Sequence, residues 1–325
     1  MSVKEEILQI FENDRENYYS GEQLAARLGV SRSAVWKAVK QLEADGYQFD
    51  AVSGRGYSLR QGSDVISKQG IARYLGNAAG NPDIKVYKTV SSTNTVLKEM
   101  AAGGAAEGTV VVAAQQTAGR GRMNRRFHSP GGTGLYLSVL LRPKMKAQEA
   151  LFITTAAAVA VARTVEEVSG KSTGIKWVND VFINDKKICG ILTEASFDME
   201  SGELEYAICG IGVNICPPEG GFPDEIKGIA GAVFDRAPSG DIKNRIAAGI
   251  IEKFMEYYAN LPEHTFFEEY IRRSVIVGKE ITVLGRGEPK TARALSIDRQ
   301  CNLVVRYQDG SEETLASGEV SIRKR

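Results

Sequence analysis

Four arginines and four glycines crowd into the segment 115–132, which reads QQTAGRGRMNRRFHSPGG. Arg120, Arg122, Arg125 and Arg126 cannot be a packing device. A guanidinium offers a fork of N–H donors that suits carboxylate and phosphate oxygens. Gly119 and Gly121 let the backbone bend and approach a ligand closely. The segment reads as a mobile cationic loop for a site that handles a carboxylate and a nucleotide phosphate. Strand-like runs flank it at 110–114 and 135–141, so it is a loop on a scaffold rather than a disordered tail. It is not a Walker loop, because GxxxxGK[ST] is absent. It is not a GxGxxG dinucleotide fingerprint, because it opens no helix.

Three other constellations accompany it. In KWVND, Trp177 and Val178 can build an apolar wall, while Asn179 and Asp180 offer oxygens suited to phosphate-bound Mg²⁺. The plainer reading is a simple Asn-Asp turn. Lys187 follows a hairpin turn and precedes ICGIL, where it can reach a phosphate or a carboxylate. Taken alone it would be an ordinary surface lysine. In SSTN, the hydroxyls of Ser91, Ser92 and Thr93 and the amide of Asn94 can hydrogen-bond a small polar head group, or merely cap a helix. The run GIGVN places Gly210 and Gly212 where flat backbone approach to a ligand is possible.

These residues need elements to hold them. The first ~60 residues read as three short helices and a wing. Ser20 and Gln23 form a capping box, and Ser31 caps a third helix with Val35, Val39 and Leu42 on one face. Its other face presents Arg32, Ser33, Lys37 and Lys40, and the turn SGRG puts Arg55 at a hairpin tip. That pattern suits a DNA-reading helix-turn-helix with a phosphate-contacting wing; the plainer reading is a protein-contact module. Arg60–Asp64 is polar and reads as a linker. A short helix is expected at Ser67–Leu75.

From ~84 to ~265 the spacing predicts a mixed sheet with helices packed on it. Strands are expected at Ile84–Lys88, Thr109–Ala114, Gly134–Leu141, Ile175–Trp177, Val181–Ile183, Lys187–Ser196 and Glu205–Ile215. Helices are expected at Thr93–Ala102, Gln148–Val168 and Asp241–Asn260. Asn184-Asp185 and Glu200–Gly202 read as hairpin turns. The last ~50 residues contain four short β segments around Asp309-Gly310, as in a small closed SH3-like barrel. The fold class is therefore α+β, with three units at 1–62, 63–272 and 273–325.

Composition narrows the classes further. The chain has 325 residues, 43% hydrophobic and 25% charged, as expected of a globular protein of several domains. A formal net charge of +1 means that any nucleic-acid contact must come from a local patch. No apolar run approaches the ~20 residues of a membrane span. The start, MSVKEEILQI, lacks a signal-peptide core, so a cytoplasmic protein with no membrane partner is expected. Cys189, Cys209, Cys216 and Cys301 form no CxxC pair, and only His128 and His264 accompany them, which argues against zinc.

In combination and in order, SSTN, QQTAGRGRMNRRF, KWVND, KKICGIL and GIGVN resemble the biotin protein ligases. With the N-terminal unit, the chain is similar to the bifunctional bacterial form that also represses biotin genes, and the resemblance spans essentially the whole chain. It implies synthesis of biotinyl-5′-AMP from biotin and ATP with Mg²⁺, then transfer of biotin to a lysine of a biotin carboxyl carrier protein. It implies that Ser92, Thr93, Asn94 and Gln116 hold the biotin head group and that Gly210 and Gly212 line its pocket. Arg120, Gly121 and Arg122 would form the closing loop. Lys187 would contact the activated carboxyl or phosphate, Arg122 would join it in catalysis, and Asp180 would serve catalysis and the metal. Phe127, Trp177 and Asn179 would face the nucleotide. Ser31, Arg32, Ser33, Lys37, Lys40 and Arg55 would contact operator DNA, through a homodimer formed when biotinyl-5′-AMP is bound. Relatives often carry proline at the position of Val178, tryptophan at that of Phe127, and a more basic, glycine-containing pair at Met123-Asn124. Three alternatives stay open: a lipoate or octanoate ligase, a ligand-sensing regulator with an inactive catalytic domain, and a ligase whose winged helix no longer binds DNA.

Overall fold

Hydroxyl caps set the N-terminal helices. The computed structural model describes residues 1–146, 149–197, 200, 202–284 and 288–322. Helix α1 spans Val3–Asn13 behind a Ser2–Glu5 capping box, and α2 spans Gly21–Leu28 behind the expected Ser20–Gln23 box. Each box satisfies two backbone N–H groups that the helix itself leaves unpaired. Gly29, at φ 65°, ends α2 in the left-handed region, where a Cβ is penalised. Helix α3, Arg32–Ala44, starts at Ser31, whose hydroxyl accepts from Ala34 N at 3.2 Å. Ile7, Phe11, Leu24, Val35, Val39 and Leu42 close the core of this unit. Strands β1 (Phe49–Val52) and β2 (Gly56–Leu59) form the wing as an antiparallel pair.

The segment 60–64 is not the free spacer its polarity suggests. Arg15 is buried and donates to Ser63 O at 3.2 Å, and its guanidinium meets Glu12 at 2.6 Å and Asp241 at 2.9 Å. Asp64 pairs with Lys243 at 3.2 Å and accepts from Lys243 N at 2.9 Å. Asn244 Nδ2 donates to Val65 O at 2.8 Å. These contacts fasten the winged unit and its connection to the start of helix α7 (Ile242–Ala259). The helix expected at Ser67–Leu75 is a shorter α4, Lys68–Ala72.

The central unit is a seven-stranded sheet in the order β3-β4-β5-β9-β8-β7-β6. The strands are β3 (Ile84–Tyr87), β4 (Val110–Ala113), β5 (Gly134–Leu141), β6 (Gly174–Lys176), β7 (Asp180–Ile183), β8 (Lys186–Phe197) and β9 (Leu204–Asn214). Only β3 and β4 run parallel, joined through α5 (Thr93–Ala102); every other pair is antiparallel. The Asn184-Asp185 hairpin turn is present, with Asn184 at φ 52°. In the expected turn at 200–202, Ser201 lies outside the described residues. So does Gln148, the expected start of the long helix, which runs as α6 over Ala150–Ser169. The alanine-rich face of α6 is fully buried. Small side chains let it sit close to both the sheet and α7; a Cβ at Gly249 of α7 would fall 2.7 Å from Thr164 Cγ2.

The C-terminal unit is antiparallel throughout and SH3-like in size. It comprises β10 (Glu280–Leu284), β11 (Lys290–Ile297), β12 (Leu303–Tyr307), β13 (Glu312–Leu315) and β14 (Glu319–Ile322), in the order β13-β12-β11-β10-β14. The Asp309-Gly310 turn joins β12 to β13, with Gly310 at φ 87°. Sequence reading did not foresee β14, nor α8 (Phe267–Arg272), which leads into this unit. Among the described residues no helix is long and apolar enough to cross a membrane.

Arg273, just after α8, binds both Glu269 at 2.7 Å and Glu166 of α6 at 2.6 Å. Its hydrogen bonds pull the Glu166 carboxyl from its ordinary 4.5 down to about 2. A depressed acid stabilises the fold above its unfolded value and loses that contribution as pH falls through its folded value. The pair therefore adds stability at neutral pH that fades between about 4.5 and about 2. Urea denaturation across that range is expected to show a shallower acid slope for Arg273→Ala than for the wild type. Because Glu166 keeps about a third of its side-chain surface in solvent, the difference should be modest.

Candidate active site and DNA-facing surface

The five catalytic-domain motifs are brought together by backbone lacing. Thr117 N donates to Val90 O at 2.9 Å and Ala118 N to Ser91 O at 2.8 Å, so the arginine segment lies beside SSTN. Ser92 occupies the N-cap position of α5, yet its side chain makes no capping bond. Gln116 caps the helix instead. Its Oε1 accepts from Thr93 N at 2.9 Å, and its Nε2 donates to Ser129 Oγ at 3.0 Å. The Ser92 hydroxyl is thereby left for another partner. Ser138 stands behind this wall in β5. Its single hydroxyl proton can point to Asn94 Oδ1 at 2.6 Å or to Thr93 Oγ1 at 2.7 Å.

The arginine loop has structure of its own. Gly121 N donates to Arg125 O at 2.7 Å and Phe127 N to Gly119 O at 2.9 Å, while Arg120 and Arg126 form an antiparallel bridge. The left-handed residues are Met123 (φ 54°) and Asn124 (φ 58°), not the two glycines expected to bend the chain. Gly119 is needed for closeness instead: a Cβ there would lie 2.5 Å from Phe127 O and from Ser129 Oγ. Gly121 has an extended φ of −120°.

KWVND is a hairpin. Lys176 of β6 pairs with Asp180 of β7, and 177–179 make the turn. Asn179 is anchored at both ends: Nδ2 donates to Ile191 O at 2.9 Å, and Oδ1 accepts from Arg122 Nη1 at 3.2 Å. Trp177 is only 3% exposed, and its indole N–H donates to Cys301 O of the C-terminal unit at 2.8 Å. The ring thus walls the cavity while its polar atom ties two units together. Asp180 Oδ1 meets Lys187 Nζ at 2.6 Å across the β7–β8 hairpin. The Lys187 backbone is clamped in turn, since its N–H donates to Ile229 O and its carbonyl accepts from Gly231 N, both at 2.8 Å.

Glycines of the sheet form the floor. Gly190 of β8 stands opposite Gly212 of β9, and Leu192 opposite Gly210. A Cβ at Gly212 would fall 2.5 Å from the Phe127 ring, and one at Gly210 would fall 2.1 Å from Asn94 Oδ1. In this state the expected flat glycine surface receives the protein's own side chains. Phe127 also meets Tyr136 edge-on, with ring centroids 6.4 Å apart.

All fourteen cavity residues expected from sequence line one hollow of about 270 Å³. They are Ser92, Thr93, Asn94, Gln116, Arg120, Gly121, Arg122, Phe127, Trp177, Asn179, Asp180, Lys187, Gly210 and Gly212. Sequence reading missed Ile226 and Ile229, and also Gly318 and Val320, which the C-terminal unit contributes to the wall. It also missed Ser138, although a lone serine inside the buried run GLYLSVLL was a readable signal. The carboxylate of Glu194, 2.9 Å from Arg120, was missed too. Cys189 lies beneath the site, where burial pushes its thiol up and keeps it protonated.

On the winged unit, Ser31, Arg32, Ser33, Lys37 and Lys40 are exposed along one side of α3, as expected. Trp36 stands among them, 53% exposed, and was overlooked. Lys40 pairs with Glu43 at 2.6 Å. Arg55 at the wing tip lies 5.2 Å from the centroid of the Tyr18 ring.

Known families match each unit. The model of the Biotin/lipoate A/B protein ligase family matches residues 86–214, an HTH domain matches 3–58, and the Biotin protein ligase C terminal domain matches 276–323. The chain is similar to the bifunctional ligase/repressor BirA of Bacillus subtilis (strain 168), with 36% identity over 82% of this chain and 81% of that one. It belongs to the bifunctional biotin ligase/repressor family. The Escherichia coli (strain K12) member is 28% identical over 94% of this chain and 93% of its own. Among solved structures, the biotin protein ligase from Aquifex aeolicus in complex with biotin and ATP superimposes with a TM-score of 0.62 at 27% identity. That match covers 75% of this chain and 99% of that one.

The glycine floor can be tested directly. Gly212→Ala sets a methyl group into the Phe127 ring, and overpacking of this kind costs about 1–3 kcal/mol. Gly228→Ala meets no heavy atom within 4 Å and should change stability by less than about 0.5 kcal/mol. Equilibrium denaturation of both variants checks the contrast.

Proposed function

We propose that the arginine-roofed, glycine-floored cavity is the biotin-activating site and that α3 with the wing is the operator-reading surface. The chain is a biotin ligase of the repressor-linked type: it activates biotin with ATP, transfers it to a carrier-protein lysine, and acts as a DNA-binding repressor. The convergence of fourteen residues from separate motifs on one cavity is the observation that carries the assignment of the site. Functional boundaries near 62 and 272 follow from this reading.

In the first step the biotin carboxylate oxygen attacks the α-phosphorus of ATP, and the bond to pyrophosphate breaks. Charge builds at phosphorus and on the leaving group. Arg122 and Lys187 are the cations placed to stabilise it. Asn179 holds Arg122 and Asp180 holds Lys187, so both cations are oriented before substrate arrives. Ser92, Thr93, Asn94 and Gln116 take the head group, with Gly210 and Gly212 beneath it. Arg120 and Gly121 close over the intermediate, and the apolar wall keeps water from the mixed anhydride. Phe127 offers a face for adenine beside Trp177. In the second step the carrier lysine attacks the acyl carbon, AMP leaves, and Asp180 would take the amine proton.

Mg²⁺ belongs to this reading as the partner of the triphosphate. No group of three His, Cys, Asp or Glu side chains is placed to hold a metal among the described residues. Asp180, a carboxylate in the cavity lining, would hold such an ion. When bound, the ion neutralises charge on the phosphates. A cytoplasmic location and a homodimer formed with biotinyl-5′-AMP complete the proposal, since two winged units would match a two-part operator.

Biotin-dependent ATP–pyrophosphate exchange is the first test, with lipoate as control. Exchange with biotin alone is expected; exchange with lipoate instead would overturn the substrate. Lys187→Ala should slow single-turnover adenylation about a hundredfold or more at an unchanged melting temperature. Near-normal adenylation by that variant would remove Lys187 from the mechanism. For the DNA face, Lys37→Ala should weaken operator binding and reduce the salt slope by about 1 without altering ligation. An unchanged slope would exclude a phosphate contact by Lys37.

A further inference from the structure

Glu194 belongs to none of the five sequence motifs, yet it joins two of them. It lies on β8 opposite Ile208 of β9. One of its oxygens, Oε2, accepts from Asn94 Nδ2 at 2.7 Å and from Arg120 Nη2 at 2.9 Å. Asn94 is a fixed support. Its Oδ1 is 2.6 Å from the Ser138 hydroxyl and fills the space that a Cβ of Gly210 would need. Its Nδ2 also donates to Leu192 O at 3.3 Å. Arg120 is a loose end by comparison, with its side chain 45% exposed, but its backbone bridge to Arg126 closes the base of the arginine loop. Four guanidiniums between 120 and 126 repel one another. A carboxylate at the loop's base offsets part of that repulsion and gives the first arginine a direction.

We infer that Glu194 is a positioning residue of the ligase reaction. It holds Arg120 against the Asn94 wall, and through Arg120 it sets how long the loop retains the acyl-adenylate. It touches no reacting atom, so its removal should affect retention rather than the chemical step. This inference rests on the cavity being the biotin-activating site.

The test uses the full-length protein and measures three quantities: release of biotinyl-5′-AMP, the KM for biotin, and saturated pyrophosphate exchange. Glu194→Ala is expected to speed adenylate release, and to raise KM, by about three- to fivefold, because a partly solvated charge-assisted pair is lost. Saturated exchange should stay within about twofold. Trypsin should cut the loop of the adenylate-bound variant faster than that of the wild type. Glu194→Gln, which keeps the shape, should fold as the wild type does and fall between them. Added to Arg120→Ala, Glu194→Ala should have no further effect on release. Unchanged release, multiplicative effects of the two substitutions, or a loss of saturated exchange at normal retention would each overturn the inference. Absence of biotin-dependent exchange from the wild type would instead overturn the reading of the site, and is visible before any variant is made.

Discussion

The antiparallel pairing of β8 with β9 is the contact on which the site depends. Its register sets Gly190 against Gly212 and Leu192 against Gly210, so Cβ atoms are missing in one patch of an otherwise apolar sheet. A shift of one residue would turn every side chain to the opposite face and fill the hollow. Because the patch is open, Asn94 can reach down from α5 and Phe127 can lie on the strands from the arginine loop. On its other edge β8 pairs with β7, which brings Lys187 to Asp180, and β8 carries Ile191, whose carbonyl anchors Asn179. Strand β8, paired on both edges, thus helps to orient both cations proposed for phosphate chemistry.

A second constraint links that site to the rest of the chain. Arg15 of the winged unit is buried between Glu12 and Asp241, the latter at the start of α7. Burial raises both carboxyls above their ordinary values, and the guanidinium between them works against that rise. Such a cluster gives little net stability, but it punishes the loss of any one member, because the remaining charges stay buried without a partner. It therefore specifies one docking arrangement more than it strengthens the fold. At the other end, Trp177 gives its N–H to Cys301, and the C-terminal unit supplies Gly318 and Val320 to the cavity wall. The catalytic sheet is held from both sides by polar bonds that local patterns do not announce.

Much of the architecture was readable from local chemistry. Capping boxes marked the helices because orphan N–H groups demand acceptors nearby in the chain, and Asp309-Gly310 marked a hairpin because left-handed positions favour glycine. The linker at 60–64 misled because polarity was taken as solvation. Ser63 and Asp64 are docked through Arg15 and Lys243, whose partners lie far away in sequence. The glycines of the arginine loop misled for a related reason. Gly119 is required because the returning chain at Phe127 and Ser129 leaves no room for a Cβ, not by a left-handed φ, and the spacing of the motif does not reveal that approach.

The sequence by itself determined the units, their order and the family, because motif spacing and residue chemistry are local and survive without coordinates, and the resemblance those motifs carry implied the fourteen residues that share a cavity. Tertiary structure decided who partners whom. Glu194 and Ser138 joined the site only when strands distant in sequence came into register. Trp177 became a bridge only when its N–H met the C-terminal unit. Met123 and Asn124 took the left-handed turn that the glycines were expected to make. The partnerships of Glu194, Ser138 and Trp177 depend on distances between segments far apart in the chain, and such distances are set by packing and hydrogen-bond satisfaction over the whole fold.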